Sequence, residues 1–505
     1  MILNKKYNVI VVGSGIGGLL CAALLARKGM KVCVVEKNKQ LGGNLQTFAR
    51  DKQLFDTGVH YIGGLEKGQN LYQIFKYVGL MEELKLERMD ECFDKILIGN
   101  DPTVYCQSQG YDAFVNTLAA SFPQERDNII AYCNKVKEVC ASFPLYNLRL
   151  RGEEAHEYKG NNESAQEVIA SFTTNKKLQA VLAGNNILYA GDGNTTPFHM
   201  HALIANSYIE SSWKCVGGGS QIAKILGRII RNHGGDILRN SEVTAMVEEA
   251  GVITHIELEN GDCLYGDYFI SNIHPAVTLK ITRSRLIGEV YKKRITELSG
   301  GISSFSLHKV LKEGTVPYEK CNYYYHKEGE LWNINNYMLP NWPLGYGLYF
   351  AEDKNRKGYA ATVSVLTPMR YEEVSPWVHT YNRVGKEGFR GANYEAFKKQ
   401  KATALMNLVG DRFPHIVQNI KSYYTSTPLT NRDYIGDPTG SMYGILKDYH
   451  DPLKTMISPR TKIPNLFLTG QNINLHGILG TSLSATLTCI MLLKDSSIID
   501  NIRNA

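Results

Sequence analysis

Residues 7–27 read YNVIVV, GSGIGG and LLCAALLAR in succession, and this stretch decides the fold. Tyr7–Val12 is an apolar run too compact for a helix, Gly13-Ser14-Gly15-Ile16-Gly17-Gly18 follows at once, and a helical pattern continues to Arg27. Strand, glycine turn and helix in that order predict a dinucleotide cradle. Gly13 permits the tight turn, Gly15 carries no side chain to block a pyrophosphate, and Gly18 lets the helix pack closely on the strand. The helix N-terminus then turns free N–H groups and partial positive charge toward the phosphates. Beyond Gly29 a second strand, Lys31–Val35, ends on Glu36, a carboxylate placed to accept hydrogen bonds from a ribose diol and to repel a 2′-phosphate. A glycine-rich turn that binds nothing is the alternative, and the complete βαβ context stands against it.

The cradle alone does not separate NAD from FAD. Glu36 is followed by Gly42-Gly43, Thr47 and Phe55-Asp56-Thr57-Gly58-Val59-His60-Tyr61. This arrangement resembles the FAD-binding superfamily of amine oxidases and phytoene desaturases, and FDTGVHYIGG looks most like its retinol saturase and carotenoid isomerase branch. Three further segments share the resemblance. Gly217-Gly218-Gly219 opens a helical pattern over 220–232, followed by a strand-like 242–247; Asp267–Pro275 resembles the strand returning from the cofactor domain; Pro464–Gln471 resembles the last strand, followed by an apolar helix from Gly477 to Leu493. The resemblance implies non-covalent FAD, held by Gly13, Gly15, Ile16, Gly17, Gly18, Glu36, Lys37, Gly42, Gly43, Asn44, Val59, His60, Tyr61, Val243, Asn272, Gly470, Gln471, Gly477, Ile478 and Leu479. Many relatives carry an acid where this chain has Gln471. The final helix, apolar nearly all round, would by itself read as an ordinary buried helix.

Cofactor segments at the beginning, middle and end imply an α/β protein with a discontinuous Rossmann-like FAD-binding domain (1–75, 215–277 and 455–505). An inserted α+β substrate domain (76–115 and 278–454) and a helical subregion or lid (116–214) complete the expected organisation. Two strand-like runs, 93–98 and 103–107, flank the turn signal Gly99-Asn100-Asp101-Pro102. Over 126–141, Ile129, Ile130, Cys133, Val136 and Cys140 share one helical face, read first as packed on a core and second as lying on a membrane surface. Ten aromatic residues crowd 318–350, and strands lined by such rings could form an apolar slot for a long conjugated ligand.

With 505 residues, 43% hydrophobic and 21% charged, the composition is that of a folded chain, and a net charge of +7 spread along it does not favour nucleic acid. No apolar run of about 18 residues suggests a membrane span, and Met1–Lys6 shows no signal-like core, so a cytoplasmic location is expected, with membrane association as the second reading. The ten cysteines lack C-x-x-C spacing and are expected to be reduced thiols. Cys489, inside the last helix, does not suit flavin attachment. His60 is the candidate proton donor, because the matching stretch runs beside the flavin in the family and histidine titrates near neutrality. Its alternative role is to hold loop backbone. His199 and His201, two apart as on one strand face, lack a third ligand, so no metal is expected. The basic clusters 292–294 and 398–399 read as solvated faces.

The expected activity is flavin hydride transfer that saturates a double bond of an apolar polyene, retinoid or carotenoid-like. A carotenoid desaturase or cis–trans isomerase, a flavin amine oxidase and a non-catalytic FAD-binding interaction protein are the alternatives. The single dinucleotide fingerprint implies an external electron partner such as NADPH, quinone, oxygen or a redox protein.

Overall fold

The computed structural model describes residues 5–150 and 162–505; residues 1–4 of the expected cofactor domain and 151–161 of the expected helical subregion lie outside this range. The opening strand forms over Lys6–Val12 and runs parallel to Val32–Val35 on one side and to Cys263–Ser271 on the other. The register pairs Val9 with Val32 and Val12 with both Val35 and Ser271. All four residues of Val32–Val35 are buried, as a parallel strand covered on both faces requires. Asp236–Leu238 extends this edge, and Leu466–Leu468 adds in parallel beside the C-terminal half of Cys263–Ser271. On the other side Val252–Leu258 and Val243–Glu249 add antiparallel, and Thr282–Arg283 ends the eight-stranded sheet in parallel. Helices Ile16–Arg27, Ser220–Asn232 and Gly477–Leu493 share one apolar core against it. Segments far apart in sequence thus build one sheet. The return strand stops at Ser271, and His274 and Pro275 open a short helix, Pro275–Ile281, whose Ala276 N–H donates to the His274 side chain.

A second, seven-stranded sheet follows the order Ile420–Ser426, Ser303–Leu311, Ala360–Met369, Gly345–Glu352, Asn322–His326, Cys92–Ile98 and Tyr105–Ser108. Its strands pair antiparallel except Asn322–His326 with Cys92–Ile98. Side-chain alternation sorts the aromatic residues here: Tyr325 stacks on Tyr346 with centroids 5.1 Å apart and Tyr323 packs on Phe413, whereas Tyr324 points to the opposite side, toward Tyr61. Of the ten aromatics between 318 and 350, only Tyr349 lines the cavity described below, and the rest lie outside it.

Two expectations are corrected, and of two readings of one helix the first holds. Cys92 and Cys106 are joined as a disulfide across the hairpin, with Cα atoms 5.5 Å apart; strand pairing brings them together over a separation of 14 residues that no cysteine motif marks. The other eight are free. His199 and His201 lie on the helix Phe198–Glu210, where two residues apart means opposite faces: His199 stacks near Phe143, while His201 is buried between the Tyr132 and Tyr189 hydroxyls at 2.7 and 2.8 Å. The helix Arg126–Ala141 turns Ile129, Cys133, Val136 and Cys140 inward, with the Cys140 thiol 3.6 Å from the Ala202 carbonyl; only Ile130 of that stripe is exposed, so this face is not free for a membrane.

Candidate functional site

The glycine turn, the Gly42–Gly43 pair and the final helix converge on one deep cavity between the two sheets. Gly13 has φ +94° and Gly42 φ +118°, conformations that favour glycine. Gly15 bridges Gly42, and a Cβ on Gly43 would approach the Gly15 Cα to 3.2 Å, so the two glycine segments lie backbone to backbone. Gly15 caps the helix Ile16–Arg27 without any side-chain cap, leaving its first N–H groups for an outside acceptor. The cavity therefore offers what a dinucleotide pyrophosphate requires.

Of the residues named above for the cofactor, all but Gly18 and Gly470 line this cavity. Gly18 instead sits hard against the Gly13 carbonyl, and Gly470 (φ +103°) lets the last strand pass the Gly17 Cα and the Asn272 amide. Glu36 has a local duty. Its Oε2 accepts from Ser14 N–H and Oγ at 2.9 and 2.6 Å, and its Oε1 from Asn38 N–H at 2.8 Å. Ser14 Oγ in turn accepts from Gly42 N–H at 3.1 Å. One buried carboxylate thus ties the first turn to the glycine pair. Cys489 is buried away from the cavity, its thiol 3.8 Å from the Cys21 carbonyl.

His60 lines the cavity with its ring stacked on Tyr349, centroids 4.0 Å apart and planes 7° apart. Burial, helped by nearby His308 and Lys214, pulls its pKa down to about 3. Near pH 7 such an imidazole is neutral, one ring nitrogen a donor and the other an acceptor. Behind it, burial raises Asp56 to about 6 although it accepts from Gly219 N–H at 2.7 Å, and burial lowers Lys214 to about 8.

Sequence reasoning missed three groups. Arg383 is 4% exposed and pins the segment 378–391 over the Glu36 end: Nη1 donates to Lys37 O at 2.6 Å and Asn38 Oδ1 at 3.2 Å, and Nη2 to Glu242 Oε2 at 2.7 Å. Asp433, fully buried, anchors that segment through Arg390, Arg432 and the Asn382 N–H. At the other end, His476 lines the cavity with its buried Nε2 unpartnered, beside Tyr443 at 4.7 Å between centroids, and the buried Lys447 lies close enough to help keep its imidazole neutral. No local spacing announces these contacts; some join residues more than 300 positions apart.

Residues 11–78 match the NAD(P)-binding Rossmann-like domain family. The chain is 28% identical to the human all-trans-retinol 13,14-reductase over 97% of its length and 86% of that protein. It is 22% identical to a prolycopene isomerase of an Oncidium hybrid cultivar over 93% of its length and 80% of that protein. An oxidoreductase from Methanosarcina mazei superposes with a TM-score of 0.64 at 15% identity, covering 96% of this chain and all of that one. Fold and cradle together define an FAD-dependent oxidoreductase. Over nearly its full length the chain is similar to these members of the retinol saturase and carotenoid isomerase family. Among the described residues, no helix is long and apolar enough to cross a membrane.

Proposed function

We propose that this protein saturates a carbon–carbon double bond of an apolar polyene, retinoid or carotenoid-like, with FAD held by the cavity-lining residues named above. The eight-stranded sheet would carry the cofactor and the seven-stranded sheet the substrate wall. One observation carries this reading: the cavity continues from the glycine cradle into a wall of Leu188, Leu203, Ile204, Leu366, Tyr349 and Tyr443, apolar rings and chains with few polar tips. Such a wall suits a long hydrocarbon better than a charged amine. Bound reduced flavin supplies a hydride; the chain supplies orientation, exclusion of water and a proton. Because the described residues form one dinucleotide cradle, NADPH, a quinone or a redox protein would recharge the flavin from outside.

The relative named a prolycopene isomerase makes cis–trans isomerisation the second reading. Peripheral membrane contact is supported by Val290, Leu453 and Met456, exposed at 86%, 73% and 57% near Lys292, Lys293 and Arg294, whose Nη1 reaches the Lys454 carbonyl. The test is to reconstitute with FAD, reduce without oxygen, add all-trans-retinol and a set of carotenoids, and read product masses. A gain of two hydrogens supports saturation. Loss of two by the oxidised protein means desaturation, unchanged mass with altered retention means isomerisation, and amines that bleach the oxidised flavin would overturn the polyene reading. Flavin that stays reduced with every substrate would mark a non-catalytic binding protein.

A further inference from the structure

Behind the cavity wall lies a carboxyl group that the cofactor cradle does not use. Asp94, on Cys92–Ile98, is fully buried. Its Oδ1 accepts from Asn322 Nδ2 at 2.9 Å, and its Oδ2 from the Tyr61 hydroxyl at 2.7 Å and Asn185 Nδ2 at 3.3 Å. The Tyr61 hydroxyl is 2.8 Å from that of Tyr324, which receives the Tyr349 hydroxyl at 3.3 Å. Tyr61 and Tyr349 line the cavity; Asp94 and Tyr324 do not. An unbroken line of oxygen atoms therefore joins a buried acid to two rings of the cavity wall.

Such a line has two directions. When Asp94 is ionised, each hydroxyl donates toward the carboxylate: Tyr349 to Tyr324, Tyr324 to Tyr61, Tyr61 to Asp94. When Asp94 is protonated the order reverses, and the Tyr349 hydrogen is released for an acceptor in the cavity. Burial raises Asp94 to about 7, so both directions are populated near neutrality, while the three phenols, pushed well above their ordinary range, pass protons without accumulating as phenolates.

We propose that Asp94, Tyr61, Tyr324 and Tyr349 form a proton relay that delivers the proton half of double-bond reduction. The inference rests on the saturase reading. Hydride addition to one olefinic carbon moves the π pair to its neighbour, and that pair takes the Tyr349 hydroxyl proton to form the second C–H bond. Tyr349 is refilled from Tyr324, Tyr324 from Tyr61 and Tyr61 from Asp94, which ends as a carboxylate and is reprotonated back along the same line from the Tyr349 hydroxyl once product leaves and water enters the cavity. Tyr349 is then the catalytic residue, and the other three act through it.

Tyr324 gives the discriminating test, since it belongs to the line but touches no ligand in the cavity. In FAD-loaded, anaerobically reduced protein given all-trans-retinol, Tyr324→Phe and Tyr349→Phe should each lower the turnover number by about 10²-fold, the usual contribution of a general acid, with KM and flavin content unchanged. A second readout needs no turnover. The infrared carbonyl band of protonated Asp94 should vanish in Asp94→Asn and shift in Tyr324→Phe and Tyr349→Phe, whether or not flavin is bound. Wild-type turnover in Tyr324→Phe, or a carbonyl band indifferent to both tyrosines, overturns the relay. If the wild-type protein reduces neither retinol nor any of the carotenoids, the saturase reading fails and the relay's role in reduction falls with it, whereas reduction by the wild type with an unshifted infrared band overturns the relay alone.

Discussion

Replacing Gly15 by alanine separates the folding of the cradle from its use. Gly15 has φ −57° and ψ 165°, a conformation that alanine adopts without strain. A Cβ there would lie 2.8 Å from Asn272 Nδ2, about 0.6 Å short of an ordinary contact, and that amide is a side chain that can turn aside. The free protein should therefore lose no more than about 1 kcal/mol. The methyl would stand where a phosphate must approach the backbone, so the loss expected on binding is one charge-assisted hydrogen bond, about 1.5–3 kcal/mol. That corresponds to about a 10- to 150-fold rise in the FAD dissociation constant. Titration of the flavin-free protein by flavin fluorescence, beside its thermal unfolding, reads both quantities. Gly17→Ala is the contrast: its Cβ would meet Asn272 Oδ1 at 2.6 Å, Thr481 Cγ2 at 3.0 Å and the Gly470 Cα at 3.2 Å, so the free protein should also lose about 1–3 kcal/mol. Gly15→Ala with unchanged FAD affinity, or with a collapsed free protein, would refute the reasoning.

Arg383→Ala removes the clasp between 378–391 and Lys37, Asn38 and Glu242, so FAD should dissociate about tenfold faster, measured by stopped-flow exchange, while product identity stays the same. Without reductant, denatured protein should take up alkylating agent at eight of its ten cysteines, and at all ten after reduction, as counted by mass spectrometry. His201, His308, His326 and His476 are buried neutral, with pKa values lowered to between about 3 and about 4. The unfolded chain takes up protons below about pH 6.5 that these folded rings refuse, so their contribution is complete above that pH and is lost as pH falls toward 4. At pH 5 the loss is about 2 kcal/mol each, about 8 together. Asp94 and Asp56, raised to about 7 and about 6, work the other way and return about 4. Denaturant titrations should show net stability falling between pH 7.5 and pH 5, since the histidines outweigh the two carboxyls; a flat profile would contradict the buried neutral histidines.

The cofactor half was legible because its physics is local. Gly13, Gly15 and Gly18 each answer a backbone demand within one turn, and the helices Ser220–Asn232 and Arg126–Ala141 form over the residues their periodicity marks. The reading failed where spacing is ambiguous or partners are remote. A two-residue interval suited a strand for His199 and His201, yet the surrounding apolar run folds as a helix. The Cys92–Cys106 bond needed the strand register, not a motif. Arg383 and the Asp94–Tyr61–Tyr324–Tyr349 line were invisible because each joins segments far apart in sequence: Asp94, Tyr324 and Tyr349 stand on three neighbouring strands of the seven-stranded sheet, and Tyr61 reaches them from outside it. His60 was found by its place in the chain, and the structure sets it in the cavity wall with burial holding its imidazole neutral.

Titration of the flavin-free protein with FAD, with NADP⁺ as the competitor, tests the central claim most directly. One equivalent of FAD should bind per chain, with the flavin absorption band resolved and NADP⁺ in excess failing to displace it. A protein that takes up NADP⁺ in the cradle and leaves FAD free in solution would contradict the account.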